Sequence, residues 1–147
     1  MTDRDFMKEA LKLARTASQK GEVPVGALIV KDGEIISSGY NKRETEKNAL
    51  CHAEIEAINE ACKKLDSWRL SDCEIYVTLE PCPMCTGAII NSRLKRVVFG
   101  AYDEAMGGCV SVMNMPELFL YKGQIIGGYM EKECKEILTD FFEKLRK

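Results

Sequence analysis

His52 is the only histidine of the chain, and Glu54 follows it in the stretch "HAE". Thirty positions beyond His52, "PCPMC" supplies Cys82 and Cys85. One imidazole and two thiols are ligand types that zinc favours. Cys82 and Cys85 stand at i and i+3 where a helix is expected to start, so both sulphurs can turn toward one ion, and the free N–H groups there favour thiolate over thiol. Three protein ligands leave the fourth tetrahedral position to water, which is the arrangement of a catalytic rather than a structural zinc. Zinc lowers the pKa of such a water toward about 7, and a carboxylate within reach can move the proton. Glu54 is the candidate for that work. On a regular helix His52 and Glu54 point in different directions, so they converge only if the pair sits at an irregular first turn.

Each residue also has a plainer reading. A lone histidine at a helix start can be a core or cap residue, and Glu54 could simply complement the helix dipole. Cys51, next to His52, could close the site into a structural Cys3His zinc. A CxxC between a strand and a helix is also where dithiol–disulfide redox pairs sit, but the βαβ start of that fold is missing here. Cys62 falls on an apolar helix face, and Cys73, Cys109 and Cys134 have no partner spacing.

The elements that must position these groups follow from periodicity and punctuation. Thr2 with Asp5 reads as a capping box, and Phe6, Met7, Ala10, Leu11, Ala14 and Ala17 keep helical spacing up to Gly21. "VGALIV" (25–30), an Asp-Gly turn and "EIISSGY" (34–40) read as a β-hairpin. Residues 41–50 are polar and aperiodic, a surface loop leading to His52, which is expected in the first turn of a helix ending near Lys64. "EIYVTL" (74–79) is strand-like, and Pro83 suits the first turn of a helix running to about Ser92. "RVVFG" (96–100) is a further buried strand, and "AMGGCVS" is a loop. Residues 111–130 are ambiguous, with "QII" a possible edge strand, before Cys134, Ile137, Leu138, Phe141, Phe142 and Leu145 resume helical spacing. The order α-β-β-α-β-α-β-(β)-α implies helices on both faces of one mixed sheet.

With 147 residues the chain is expected to form a single domain, 1–147, with one sizeable core. The charged N-terminus lacks the apolar stretch of a secretory signal and no run is long enough to span a bilayer, so a cytoplasmic protein with no membrane partner is expected. Seven cysteines in a reducing compartment argue for metal or thiol chemistry over disulfides. The net charge of −2 provides no global attraction for a polyanion, so nucleic-acid contact would have to be local. Candidate basic patches are Lys42/Arg43/Lys47, Arg93/Lys95/Arg96 and Lys144/Arg146/Lys147.

HxE followed by PCxxC is a signature of zinc nucleobase deaminases. The chain resembles the cytidine deaminase-like superfamily, and within it the bacterial tRNA-specific adenosine deaminases. The resemblance runs through "GEVPVGALIV", "GYN", "HAEIEAI", "IYVTLEPC", "MCTGAIINSRLKRVVFGA" and "ECKEILTDFF". It implies a three-layer α/β/α sandwich with a five-stranded mixed sheet, usually a homodimer. It further implies one Zn2+ per subunit held by His52, Cys82 and Cys85, and Glu54 as proton shuttle. Asn41 would hydrogen-bond the target base, Val23 and Pro81 would line its pocket, and the backbone N–H of Ala53 would face its edge. The implied reaction converts a flipped-out wobble adenosine of a tRNA anticodon stem-loop to inosine and ammonia. Deamination of a free base or nucleoside (guanine, cytosine or adenine) is the alternative. The chain departs from the family pattern at Asn48-Ala49-Leu50-Cys51, where Asp-Pro-Thr-Ala is usual, and at Leu120-Tyr121, where Asn-His is usual. Tyr102 and Glu143 stand where arginine is frequent, which removes positive charge from positions at which the family meets RNA.

Overall fold

A computed structural model describes residues 1–146. Thr2 opens α1 (Asp3–Gln19) with the expected capping box, its hydroxyl accepting from the Asp5 amide while the Asp5 carboxylate accepts from the Thr2 amide. The hairpin forms as β1 (Gly26–Lys31) and β2 (Glu34–Tyr40). Asp32 and Gly33, at φ 51° and 77°, make the tight turn whose twist suits paired strands. Then follow α2 (Ala53–Leu65), β3 (Cys73–Leu79), α3 (Pro83–Asn91), β4 (Arg96–Ala101), the short α4 (Met115–Leu118), β5 (Gln124–Ile126) and α5 (Glu131–Leu145). Among the described residues no helix is long and apolar enough to cross a membrane.

The five strands form one sheet in the order β2-β1-β3-β4-β5. β1 pairs antiparallel with β2 and β3, whereas β3, β4 and β5 run parallel. Alternation along the strands sorts the side chains to two faces. Ala27, Ile29, Ile75, Val77, Val97 and Phe99 pack under Ala53, Ala57 and Ile58 of α2 and Ile89 of α3. Leu28, Val30, Tyr76 and Val98 pack on the other face against Phe6, Met7 and Ala10 of α1 and Cys134 of α5. The three layers are therefore those expected. The ambiguous span 111–130 resolves into a four-residue helix capped by Asn114 and a three-residue edge strand, so "QII" does pair, parallel to β4.

Candidate metal centre and active-site cavity

Two helices begin beside one another at the carboxyl end of β3. His52 is not inside α2 but is its N-cap, in extended conformation (φ −77°, ψ 154°), and Glu54 is one residue into the helix. This resolves the angular problem of HxE, because an extended residue before a helix swings His52 back over the first turn. Cys82 is likewise the N-cap of α3 (φ −70°, ψ 174°), Pro83 occupies the first turn and Cys85 follows within it. The His52 side chain makes no capping bond to its own helix. His52 Nδ1 lies 3.6 Å from Cys82 Sγ and 3.5 Å from Cys85 Sγ. All three ligand atoms fall within 4.8 Å of one another. With Zn–N and Zn–S bonds of about 2.0 and 2.3 Å, a tetrahedral N···S edge comes out near ~3.5 Å, so the donor set fits zinc in both chemistry and spacing. Cys51 is not part of this cluster.

The electrostatics fit the same reading. A hydrogen bond from Cys85 holds the Cys82 thiol down at about 4, with His52 adding to the effect against the cost of burial. The same sharing, with burial, pushes Cys85 far up. His52 is raised by its contact with Cys82. Glu54 is 4% exposed, and burial pushes its carboxyl up to about 7. A carboxyl poised there can both accept and return a proton near neutrality.

His52, Glu54 and Cys82 form part of the lining of a cavity of about 620 Å³. Val23, Val25 and Asn41 form one wall, and Leu79, Glu80 and the segment Tyr102–Ala105 the other. Glu131, Lys135, Leu138 and Phe142 of α5 also line it, with Arg43. Asn41 is 9% exposed; its Nδ2 donates to the Val23 carbonyl at 3.1 Å and its Oδ1 accepts from the Ala53 amide at 2.9 Å. Ala53 was expected to offer that N–H to a base. Here the amide donates to Asn41, and Ala53 and Pro81 are both buried. The Pro81 carbonyl accepts from the Gly108 amide at 2.8 Å.

Sequence reasoning missed two buried carboxylates. Glu22, 2% exposed, accepts from the amides of Glu44 (3.1 Å) and Thr45 (2.6 Å) and from the Thr45 hydroxyl (2.6 Å), which holds the loop carrying Arg43. Glu80, 1% exposed, accepts from the amides of Asp103 (3.0 Å), Cys109 (3.2 Å), Val110 (2.8 Å) and Ser111 (2.9 Å) and from the Ser111 hydroxyl. A charged residue directly after the apolar strand "EIYVTL" was the available signal. Of the basic candidates, Arg43 reaches the cavity. Arg96 is bound to Asp3 at 2.7 Å, and Arg93 lies over the Trp68 ring, so both have structural partners. Lys147 lies outside the described residues.

A profile of the MafB19-like deaminases matches residues 1–146. The chain is 49% identical over 147 residues to a tRNA-specific adenosine deaminase of Bacillus subtilis (strain 168), covering 99% of this chain and 91% of the relative. It is similar, with TM-score 0.88 and 37% identity over 92% of this chain and 99% of the other, to a structure solved in studies of A-to-I editing by tRNA:A34 deaminases at the wobble position of transfer RNA. A guanine deaminase from Nitrosomonas europaea matches with TM-score 0.85 and 25% identity, over 95% of this chain and 84% of that one.

Proposed function

The chain belongs to the MafB19-like deaminase family and is an enzyme that catalyses deamination, and from that premise we propose that its substrate is the wobble adenosine of a tRNA anticodon stem-loop, converted with water to inosine and ammonia. The observation that carries the reading is the 49% identity to a tRNA-specific adenosine deaminase over nearly the whole of both chains. His52, Cys82 and Cys85 hold one zinc per subunit. When bound, zinc supplies Lewis-acid activation of water at neutral pH. Glu54 takes a proton from the attacking water and gives it to the ring nitrogen, then takes the remaining proton of the hydroxyl added at C6 and delivers it to the amine, which leaves as ammonia while the C6 carbonyl of inosine forms. Its burial suits this double duty, because a carboxyl near 7 is neither a permanent acid nor a permanent base. Asn41 and Val23 line the base pocket, and the Ala53 amide holds Asn41 there by donating to its Oδ1. The enzyme works as one domain in the cytoplasm and pairs with a second copy, a state favoured by exposed apolar side chains such as Leu118, Phe119 and Leu120.

The cavity lining gives a second reading its footing. Among the lining residues Arg43 and Lys135 stand with Asp103, Glu104 and Glu131, so the cavity is of mixed charge, and the fold is also that of a guanine deaminase. The deciding experiment offers the zinc-loaded protein an arginine-tRNA anticodon stem-loop with adenosine at the wobble position beside a panel of free bases and nucleosides, with products separated by chromatography. Inosine formed only in the RNA is expected. Turnover of guanine with the RNA untouched would overturn the tRNA reading.

A further inference from the structure

Tyr102 is an aromatic side chain in the lining of the cavity, with 41% of its surface exposed. Its ring stands edge-on to buried Phe99, with centroids 5.2 Å apart and an interplanar angle of 89°. Gly127 and Gly128 form a floor beside it. A β-carbon at Gly128 would lie 3.2 Å from Tyr102 Cε2, and one at Gly127 would lie 3.0 Å from its hydroxyl and collide with the Phe99 ring. The next residue is fixed as well, because the Asp103 amide donates to Glu80 and the Asp103 carboxylate turns back to the amides of Ala105 and Met106, both at 3.1 Å. One part of the ring is thus packed and the remainder left to solvent at the cavity. Rigid exposed aromatics of this kind supply contact area at small entropic cost.

Extrusion of a target base from a loop leaves its neighbours without a stacking partner on the side it vacated. Single-stranded RNA is commonly held by stacking such bases on aromatic side chains. We propose that Tyr102 is the stacking platform for a nucleobase directly flanking the target adenosine, so that the exposed base regains on the tyrosine ring the contact it lost on flipping. The proposal rests on the tRNA reading above. It also gives a role to one of the departures from the family pattern, an aromatic face standing where a cation is frequent.

The test is a double-mutant cycle on the zinc-loaded protein. Wild type, Tyr102→Phe and Tyr102→Ala are each given the intact stem-loop and two versions with an abasic residue on the 5′ or the 3′ side of the target. Binding is read in parallel by the fluorescence of 2-aminopurine at the same flanking position. Tyr102→Ala is expected to lower kcat/KM on intact RNA by about 5- to 100-fold, while losing little more on the abasic RNA that removes the stacked base. Tyr102→Phe keeps the ring and stays near wild type, and the 2-aminopurine signal is quenched by wild type and Tyr102→Phe but not by Tyr102→Ala. Equal loss by Tyr102→Ala on intact and on both abasic RNAs, with normal zinc content, would overturn the proposal, as would a Tyr102→Phe variant as impaired as Tyr102→Ala. A wild-type enzyme inert on the intact stem-loop would overturn the tRNA reading itself.

Discussion

Glu54 differs from the other acidic residues of α2 in being buried, and its place is set by one backbone residue, His52, being extended rather than helical. Replacement by glutamine keeps size and polarity but cannot carry the proton. Glu54→Gln is therefore expected to retain one zinc per chain, measured by atomic absorption, and to lose at least about 10²-fold in deamination rate. A Glu54→Gln variant of normal activity would exclude the shuttle. At this scale the metal cluster was legible because ligand types and spacing are local facts of the sequence: two cysteines three apart, a proline, and one histidine. Glu22 and Glu80 were not legible. Their partners are backbone amides of Glu44, Thr45, Asp103 and Val110 in irregular loops, and an amide has no residue type by which a sequence can announce it.

The elements bring the ligands together through close contact of α2 with the hairpin. At Gly39, in the middle of that contact, a β-carbon would stand 2.6 Å from the Ala53 carbonyl and 2.6 Å from Glu56 Cβ. Gly39→Ala must therefore push the first turn of α2 outward. It is expected to cost about 1–3 kcal/mol of stability in urea titrations and, because His52 and Glu54 ride on that turn, to weaken zinc retention against a chelator. A variant destabilised to this degree with zinc affinity intact would show that α2 is free to shift without its cap. The long helices and the hairpin were readable from period and turn residues. The span 111–130 was not, because α4 has four residues and β5 has three, too few for a period to register. What fixes that span is tertiary: the Tyr121 hydroxyl donates to the Leu94 carbonyl.

Among the described residues, four carboxylates have folded-state pKa values below their ordinary ones: Asp5, held by the Thr2 amide and hydroxyl, and Asp3, Glu22 and Glu80. Asp3 is lowered by its bond to Arg96. In Glu22 and Glu80 burial alone would raise the pKa, but the hydrogen bonds from Thr45 and Ser111 and their neighbours outweigh it. A group more acidic in the folded than in the unfolded chain stabilises the fold fully above its unfolded pKa, and that contribution is lost as pH falls through the folded value. Urea midpoints are accordingly expected to drop below the ordinary carboxylate value of 4.5, whereas Glu54, raised to about 7 by burial, adds stability as pH falls from 7 toward 4.5. Glu22→Gln, which cannot titrate, should show a shallower acid decline from a lower start. A midpoint independent of pH between 5 and 3 would contradict these assignments.

The order of strands in the sheet also has a consequence in time. β1 pairs with β2 through a two-residue turn, but with β3 only across a connection that contains all of α2. As the chain leaves the ribosome, α1, the hairpin and His52 emerge with one edge of β1 bare. Non-local pairing of this kind is the slow part of folding, and a bare edge is the part most open to wrong partners. Insertion of β3 covers that edge, and the next residues to emerge are Cys82 and Cys85. The nascent chain thus becomes able to grip an ion as its central strand joins the hairpin, before β4 and β5 complete the sheet, and occupancy of the cluster would report that the first half has folded.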